Sequence, residues 1–328
     1  MANKLPDTFW ERLKLIYSPE DIKTIEKWLN LETRKTSFRI NTIKSDEEEI
    51  AHVLKEYSLD MKKVDFLENC YTLENGIEKD LWDLDIFKQW KIYLQQIASQ
   101  IPVPFMDIRD GNTILDCTAA PGSKTSQMAS LMKNTWKIIA VDNNQIRIDK
   151  LNFTLKRQGS KNVEVIKTDA RKLSEPLWEL LKKEWGKTTD SNEYFDNILL
   201  DAPCSAEWRM NLNKEKTYWF WADNIFKRNY RLSKSILEEV IPMLKKWGTL
   251  MFSTCTLAPE ENEAIVHFVL SNYPEISIEE ISLENKNIRP WIKSFGKQIF
   301  RNDVIKSIRC LPSEETEWFF IAKFKKNI

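Results

Sequence analysis

The sequence predicts an α/β protein: a mostly parallel, doubly wound sheet covered by helices on both faces, preceded by a smaller α+β unit. Two observations carry this. From residue 113 onward, short apolar runs alternate with long helical stretches, the order that builds strand–helix–strand crossovers. Those runs are apolar at successive positions, as strands buried on both faces must be. At 328 residues and 42% hydrophobic, the chain can also fill the core such a sheet needs.

The amino-terminal elements come first. Ser18-Pro19-Glu20-Asp21 predicts a helix start: the serine hydroxyl caps, proline suits the first turn, and the acids favour the positive end of the helix dipole. Ser45 followed by Asp46-Glu47-Glu48-Glu49 predicts another by the same logic. Ser37-Phe38-Arg39-Ile40-Asn41-Thr42 between them reads as a strand, with Phe38 and Ile40 on a core face and Arg39 and Asn41 on a face free to meet a ligand. The pattern changes near residue 100, dividing the chain into a small α+β domain, 1–100, and a larger α/β domain, 101–328. Charge shifts there too. Residues 1–100 hold 15 basic and 19 acidic side chains against 34 and 30 in the rest, so a chain of zero net charge carries a mildly basic second part.

In that second part the predicted strands are Thr113–Cys117, Lys137–Val141, Val163–Lys167, Asn197–Asp201 and Thr249–Ser253. Helices are expected over Asn144–Gln158 and Asp223–Lys246, among others. Trp318-Phe-Phe-Ile-Ala-Lys-Phe324 reads as a last strand with no helix after it, suiting an added edge strand.

Composition excludes several classes. No apolar stretch approaches the ~18 residues that span a bilayer. The five cysteines, Cys70, Cys117, Cys204, Cys255 and Cys310, are odd in number and unevenly spaced, which suits a reducing cytoplasm better than a disulfide framework. His52 and His267 are the only histidines and no Cys-x-x-Cys pair occurs, so no metal site is expected.

Candidate chemistry collects at strand ends, where open α/β sheets bind ligands. The turn after the first strand, Asp116-Cys-Thr-Ala-Ala-Pro-Gly-Ser-Lys-Thr125, is tight and built of small residues, but holds one glycine where a dinucleotide cradle wants three. That argues against a nicotinamide oxidoreductase. Asp142 ends the second strand and Asp169 follows the third; a carboxylate after strand two commonly binds ribose hydroxyls. A ribose-bearing cofactor without phosphates fits, and S-adenosyl-L-methionine is the obvious one, its sulfonium favoured by acids such as Asp116. Taken singly, each of these aspartates also reads as an ordinary turn or cap residue. Cys204 and Cys255 each stand just beyond a buried-looking strand. Cys117, Cys70 and Cys310 read as packing.

Asp116–Thr125, Asp201-Ala-Pro-Cys-Ser205 and Ser253-Thr-Cys-Thr-Leu-Ala-Pro-Glu-Glu-Asn-Glu263 together resemble the Sun/Fmu (nucleolar-protein) family of RNA cytosine-C5 methyltransferases. The resemblance extends to Arg39-x-Asn41, Lys91-Ile-Tyr-Leu-Gln95 and Trp318–Lys325. It implies a Rossmann-like, seven-stranded S-adenosylmethionine-dependent methyltransferase fold behind a small α+β RNA-binding domain, with no further carboxyl-terminal RNA-binding domain. By similarity Cys255 is the nucleophile that adds to cytosine C6, Cys204 assists proton removal and release, and Asp201 holds the cytosine edge. Lys124 would position the base or lower a thiol pKa. The implied cofactor-binding residues are Asp116, Thr118, Ala119, Ala120, Pro121, Gly122, Ser123, Lys124, Asp142, Arg147, Asp169 and Asp201, and the implied RNA contacts are Arg39 and Asn41. The expected enzyme is a cytoplasmic monomer acting on RNA, ribosomal RNA before transfer RNA, with a catalytically impaired RNA-binding relative as the alternative.

One departure from the family pattern stands out. Glycine is only 7 of 328 residues while tryptophan reaches 13. Trp90, Trp136, Trp208, Trp247, Trp291 and Trp318 stand where the family has or commonly has glycine, which points to a gene whose UGA codons mean glycine and have been read as tryptophan. All six are then expected to strain or overpack the fold.

Overall fold

The computed structural model describes residues 5–185, 193–219, 221–283, 287–289 and 291–327. It opens with α1 (Asp7–Ile16) and α2 (Pro19–Leu29). Ser18 caps α2 as expected, its hydroxyl oxygen accepting from the Asp21 amide at 3.2 Å. The apolar sides of both helices pack with Met210, Trp221, Phe226, Leu257, Leu311 and Trp318. The first thirty residues therefore lie against the second part of the chain.

A four-stranded antiparallel sheet follows, with β1 (Ser37–Ile40), β2 (Met61–Lys63), β3 (Cys70–Leu73) and β4 (Ile92–Leu94) in the order β2-β3-β1-β4. The helix α3 (Glu47–Glu56) packs Ile50 and Leu54 against it, the short helices α4 (Glu78–Trp82) and α5 (Asp85–Lys88) complete that core, and α6 (Ile97–Gln100) packs Ile97 and Ala98 with residues of the larger sheet. The cap of α3 is Asp46, whose carboxylate accepts from the Glu49 amide, one residue later than Ser45. Ser45 instead donates its hydroxyl to the Glu49 carboxylate at 2.6 Å.

Arg39 and Asn41 do not face a ligand; this corrects the RNA-contact expectation. Both are buried, at 3% and 0% exposure. Arg39 donates to the Gln95 side chain at 2.9 Å and to the Ser126 hydroxyl at 2.7 Å. Asn41 donates to the Gln158 carbonyl at 2.8 Å. Ser126 and Gln158 belong to helices of the larger sheet, so the polar face of β1 is consumed in joining the two units.

The larger sheet runs β11-β14-β15-β9-β8-β5-β6-β7, with β10 (Ile276–Glu279) also paired to β15. Its parallel part is β5 (Ile114–Asp116), β6 (Ile138–Asp142), β7 (Val163–Lys167), β8 (Phe195–Asp201) and β9 (Leu244–Thr254). To these β14 (Ile308–Cys310) and β15 (Phe319–Lys326) add antiparallel, completing seven principal strands, with β11 (Ile288–Arg289) beyond and a separate β12 (Ser294–Phe295)–β13 (Gln298–Ile299) hairpin. The covering helices are α7 (Ser123–Leu131), α8 (Gln145–Gln158), α9 (Ser174–Trp185), α10 (Asn224–Val240) and α11 (Glu263–Asn272). Two expectations need correction. The closing strand is interior, lying between β9 and β14, and Phe320, Ile321, Ala322 and Phe324 are accordingly buried on both its faces. The helix expected to reach Lys246 stops at Val240: Pro242 supplies no amide to continue its hydrogen bonds, and the chain passes through a 3-10 turn over Ile241–Met243 into β9.

The six tryptophans divide. Trp90 and Trp247 have φ of 60° and 62°, the left-handed region that suits glycine and penalises a β-carbon. Trp136, Trp208 and Trp318 are absent from that region. Trp318 is fully buried, its ring 4.6 Å from that of Trp28, and its indole N–H donates to the Cys255 carbonyl at 3.1 Å. Trp318 is thus a packed core residue, which corrects the expectation that every one of the six strains or overpacks the fold. Trp90→Gly and Trp247→Gly should each raise stability by about 1 kcal/mol, while Trp318→Gly should cost about 3 kcal/mol or more through the cavity it leaves. Denaturant midpoints of the three variants test this; a stabilised Trp318→Gly protein would contradict it.

Candidate active site

The site begins at the β5–α7 turn. Gly122 has φ of 104°, and a β-carbon there would come within 3.0 Å of Leu151 and 3.2 Å of Thr154 on α8. Only glycine allows α7 to start this close to α8. Thr118 donates its hydroxyl to the Asp201 carbonyl at 2.8 Å, tying the turn to the end of β8. Asp116 is buried beneath the turn and accepts the Thr125 hydroxyl at 2.7 Å; burial pushes its carboxyl up to about 6. Ala119, Ala120, Pro121 and Ser123 complete the turn, and Ser123 shares a hydrogen bond with the Tyr93 hydroxyl of β4 at 2.9 Å.

Asp142 ends β6, nearly buried, and accepts from the Asn144 amide at 3.1 Å and from Arg147 Nε at 2.9 Å. Arg147 also donates to the Ala120 carbonyl at 2.9 Å, bracing α8 against the turn. Asp169 accepts from the Arg171 amide and guanidinium, which hold its carboxyl below the usual range. A cavity of 460 Å³ brings Thr118, Ala120, Asp142, Arg147, Asp169, Asp201, Cys204 and Cys255 to one wall, within the size range of small-molecule sites. A carboxylate offers about four acceptor positions, and the three contacts to Asp142 leave one on Oδ2. The donor set therefore fits a ribose hydroxyl.

The two cysteines meet in the lining of that cavity. Their Sγ atoms are 3.1 Å apart, although the residues are 51 apart in sequence. The hydrogen bond with Cys204, reinforced by burial, pushes the Cys255 thiol well up. Lys124 opposes this, its positive charge lowering the Cys255 thiol in the direction expected from the sequence. Its direct partners are Asp201 Oδ2 at 2.6 Å and the Ser99 hydroxyl at 2.9 Å. The other Asp201 oxygen accepts the Ser253 hydroxyl at 2.8 Å.

Behind the sulfurs lie two buried carboxylates that sequence reasoning missed. Glu261 accepts from the Ser205 amide and hydroxyl and from Asn229, and Glu207 accepts from the Thr256 hydroxyl, the Leu257 amide and the Trp221 indole. Ser205 and Thr256 are the residues following the two cysteines, and their hydroxyls are 2.7 Å apart. Burial pushes Glu261 up to about 7. A signal existed in the acids of Pro259-Glu-Glu-Asn-Glu263 beside apolar sequence, but their partners come from the other loop.

Because Cys204 is the first cause of the raised Cys255 thiol, Cys204→Ala should move the alkylation profile of Cys255 toward lower pH. At pH 8 that thiol should react faster with iodoacetamide than in the wild type, as followed on the Cys255 peptide by mass spectrometry. An unmoved profile would show that burial alone sets this thiol.

The sequence profile of 16S rRNA methyltransferase RsmB/F matches residues 103–325. The chain is 31% identical over 295 residues to the tRNA (cytosine(49)-C(5))-methyltransferase of Pyrococcus abyssi, covering 89% of this chain and 88% of that protein. It is 28% identical over 296 residues to the probable ribosomal RNA small subunit methyltransferase B of Bacillus subtilis, covering 89% of this chain but only 60% of the relative. A crystal structure of a methyltransferase homolog from Pyrococcus horikoshii superposes with a TM-score of 0.80 at 27% identity, over 98% of this chain and 95% of its own. Matched along most of its length in sequence and in fold, the chain belongs to the RsmB/F family, S-adenosylmethionine-dependent methyltransferases of cytosine C5 in RNA.

Proposed function

We propose that this chain methylates C5 of a cytosine in RNA through a covalent adduct on Cys255. The observation that carries the reading is the 3.1 Å approach of two thiols in the lining of a cofactor-sized cavity. Carbon 5 of cytosine is a poor nucleophile until a thiolate adds to C6 and turns the ring into an enamine. When bound, S-adenosylmethionine supplies an electrophilic methyl group. Cys204 as its thiolate, 3.1 Å away, accepts the Cys255 thiol proton and passes it to solvent, and Cys255 Sγ forms the bond to C6 as the C5–C6 π pair shifts to C5. After methylation Cys204 takes the C5 proton, the electron pair re-forms the C5–C6 double bond, and the C6–Sγ bond breaks to free Cys255. Asp201, oriented by Lys124 and Ser253, accepts from the cytosine amino group. The target base must be unstacked to reach this depth.

The division near residue 100 is part of the same proposal, with residues 1–100 as an RNA-facing unit. Since Arg39 and Asn41 are buried, that role passes to exposed cations such as Lys79, which shares a groove with Arg209 and Lys214. Ribosomal RNA is the proposed target, on the strength of the family-wide match. The chain acts as a monomer in this reading. Among the described residues no group of side chains suited to a metal ion occurs, and no helix is long and apolar enough to cross a membrane.

Two sets of variants test the proposal. Cys255→Ala should abolish both methyl transfer and covalent capture of 5-fluorocytosine RNA, while Cys204→Ala should accumulate an adduct with ordinary RNA because elimination stalls. The reverse pattern, seen on denaturing gels, would exchange the two roles. Asp142→Ala should weaken S-adenosylmethionine binding by on the order of tenfold to a hundredfold through lost charge-assisted hydrogen bonds, with a smaller loss in Asp169→Ala. Calorimetric affinities unchanged in both would return these acids to the status of turn residues.

A further inference from the structure

The outer face of α10 carries a cation cluster that the mechanism above does not use. Between Asp223 and Glu238 the chain has Lys227, Arg228, Arg231 and Lys234 and no acidic residue, a local excess of positive charge in a protein whose net charge is zero. Asn224, Lys227, Arg228, Arg231 and Ser235 share one side of the helix, as their spacing of three and four residues dictates. They line a groove of 720 Å³ together with Arg171, Pro203 and Cys204. Lys227, Arg228 and Arg231 are exposed, and none of the three has an ion pair or hydrogen bond within the described residues. Their neighbours are otherwise occupied: Arg171 is held by Asp169, Lys234 by Glu238, and Arg12 by Glu260.

The groove runs into the reactive cavity. Pro203, Cys204 and Leu232 line both. A nucleotide whose base reaches Cys255 must therefore leave its sugar-phosphate strand near Cys204, and the way outward passes over Lys227, Arg228 and Arg231. Little more than one turn of helix separates Lys227 from Arg231, placing these charges within about 6 Å of one another along the axis, close enough to act on neighbouring phosphates of one strand.

We infer that this face of α10 is the backbone track for the single-stranded RNA next to the target cytosine, with Lys227, Arg228 and Arg231 on its phosphates. The inference rests on the RNA-methyltransferase reading and adds the path of the strand. Unpaired, exposed cations of this kind bind phosphate by releasing counterions, which makes their contribution depend on salt and not on base sequence. Arg228 and Arg231 are also able to grip phosphate oxygens in a bidentate manner.

The test uses the full chain and a short fluorescein-labelled single-stranded RNA of mixed sequence. The triple variant Lys227→Ala/Arg228→Ala/Arg231→Ala should bind it on the order of tenfold to a hundredfold more weakly than wild type at low salt. The slope of log affinity against log salt should fall by about 0.7 for each cation removed. Affinity for S-adenosylmethionine, measured in parallel by calorimetry, should stay within about twofold, which separates loss of the track from loss of the fold. Wild-type affinity and an unchanged salt slope in the triple variant would overturn the track while leaving the methyltransferase reading intact. Equal competition by duplex RNA of the same sequence would overturn the single-strand assignment. Failure of the wild-type protein to bind or methylate any RNA would remove the reading on which the track rests.

Discussion

Two buried carboxylates hold the reacting end of this protein together. Glu261 fastens the loop after β8 through Ser205 and reaches Asn229 of α10, while Glu207, inside that same loop, fastens the loop after β9 through Thr256 and Leu257. Carboxylates are costly to bury unless their acceptor positions are filled, and here amides and hydroxyls fill them. The Ser205–Thr256 contact closes the buckle. Each cysteine is covalently the neighbour of one of those two residues, so the separation of the sulfurs is inherited from this network. A third carboxylate, Glu263, extends it: Arg309 of β14 pairs with Glu263 at 2.5 Å and also donates to the Tyr17 hydroxyl, linking the start of α11 to the end of α1.

The sheet supplies the coarse alignment that the buckle refines. β8 and β9 are adjacent and parallel, with Asp201 opposite Ser253. Cys204 and Cys255 lie three and two residues beyond that pair, at the carboxyl ends where open α/β sheets collect their ligands. A slip of one residue between these strands would turn Ser253 away from Asp201. The same register brings Asp201 within reach of Lys124, which leaves the β5–α7 turn from the other side. Asp201 thus sits between a cation and a hydroxyl, with both its oxygens held in place, an arrangement suited to electrostatic pre-organisation.

The smaller sheet is joined to this centre by polar contacts. Arg39 reaches Ser126 of α7, Tyr93 reaches Ser123 at its first turn, and Asn41 reaches the end of α8. Burial draws the Arg39 guanidinium down to about 10, so it remains charged at neutral pH. These contacts converge on α7 and α8 beside the β5–α7 turn. The amino-terminal unit consequently supports the geometry of that turn.

The sequence by itself determined the class of the sheet, the strands that carry it, the tight turn around Gly122 and the two cysteines beyond β8 and β9, because these depend on local patterns: continuous apolar runs, small residues in a turn, and motifs of a few adjacent positions. Only the tertiary structure decided where polar side chains point and what they meet. Arg39 and Asn41 alternate with core residues in a way that reads as an exposed face, yet that face is covered by α7 and α8. Trp318 reads as a misplaced glycine, yet it fills a pocket beside Trp28. The closing strand reads as an edge, yet it is inserted between β9 and β14. Glu207 and Glu261 look like loop acids until the partner loop, some fifty residues away, is folded onto them. In each case the deciding contact joins residues distant in the chain, and a local pattern contains no record of such a contact.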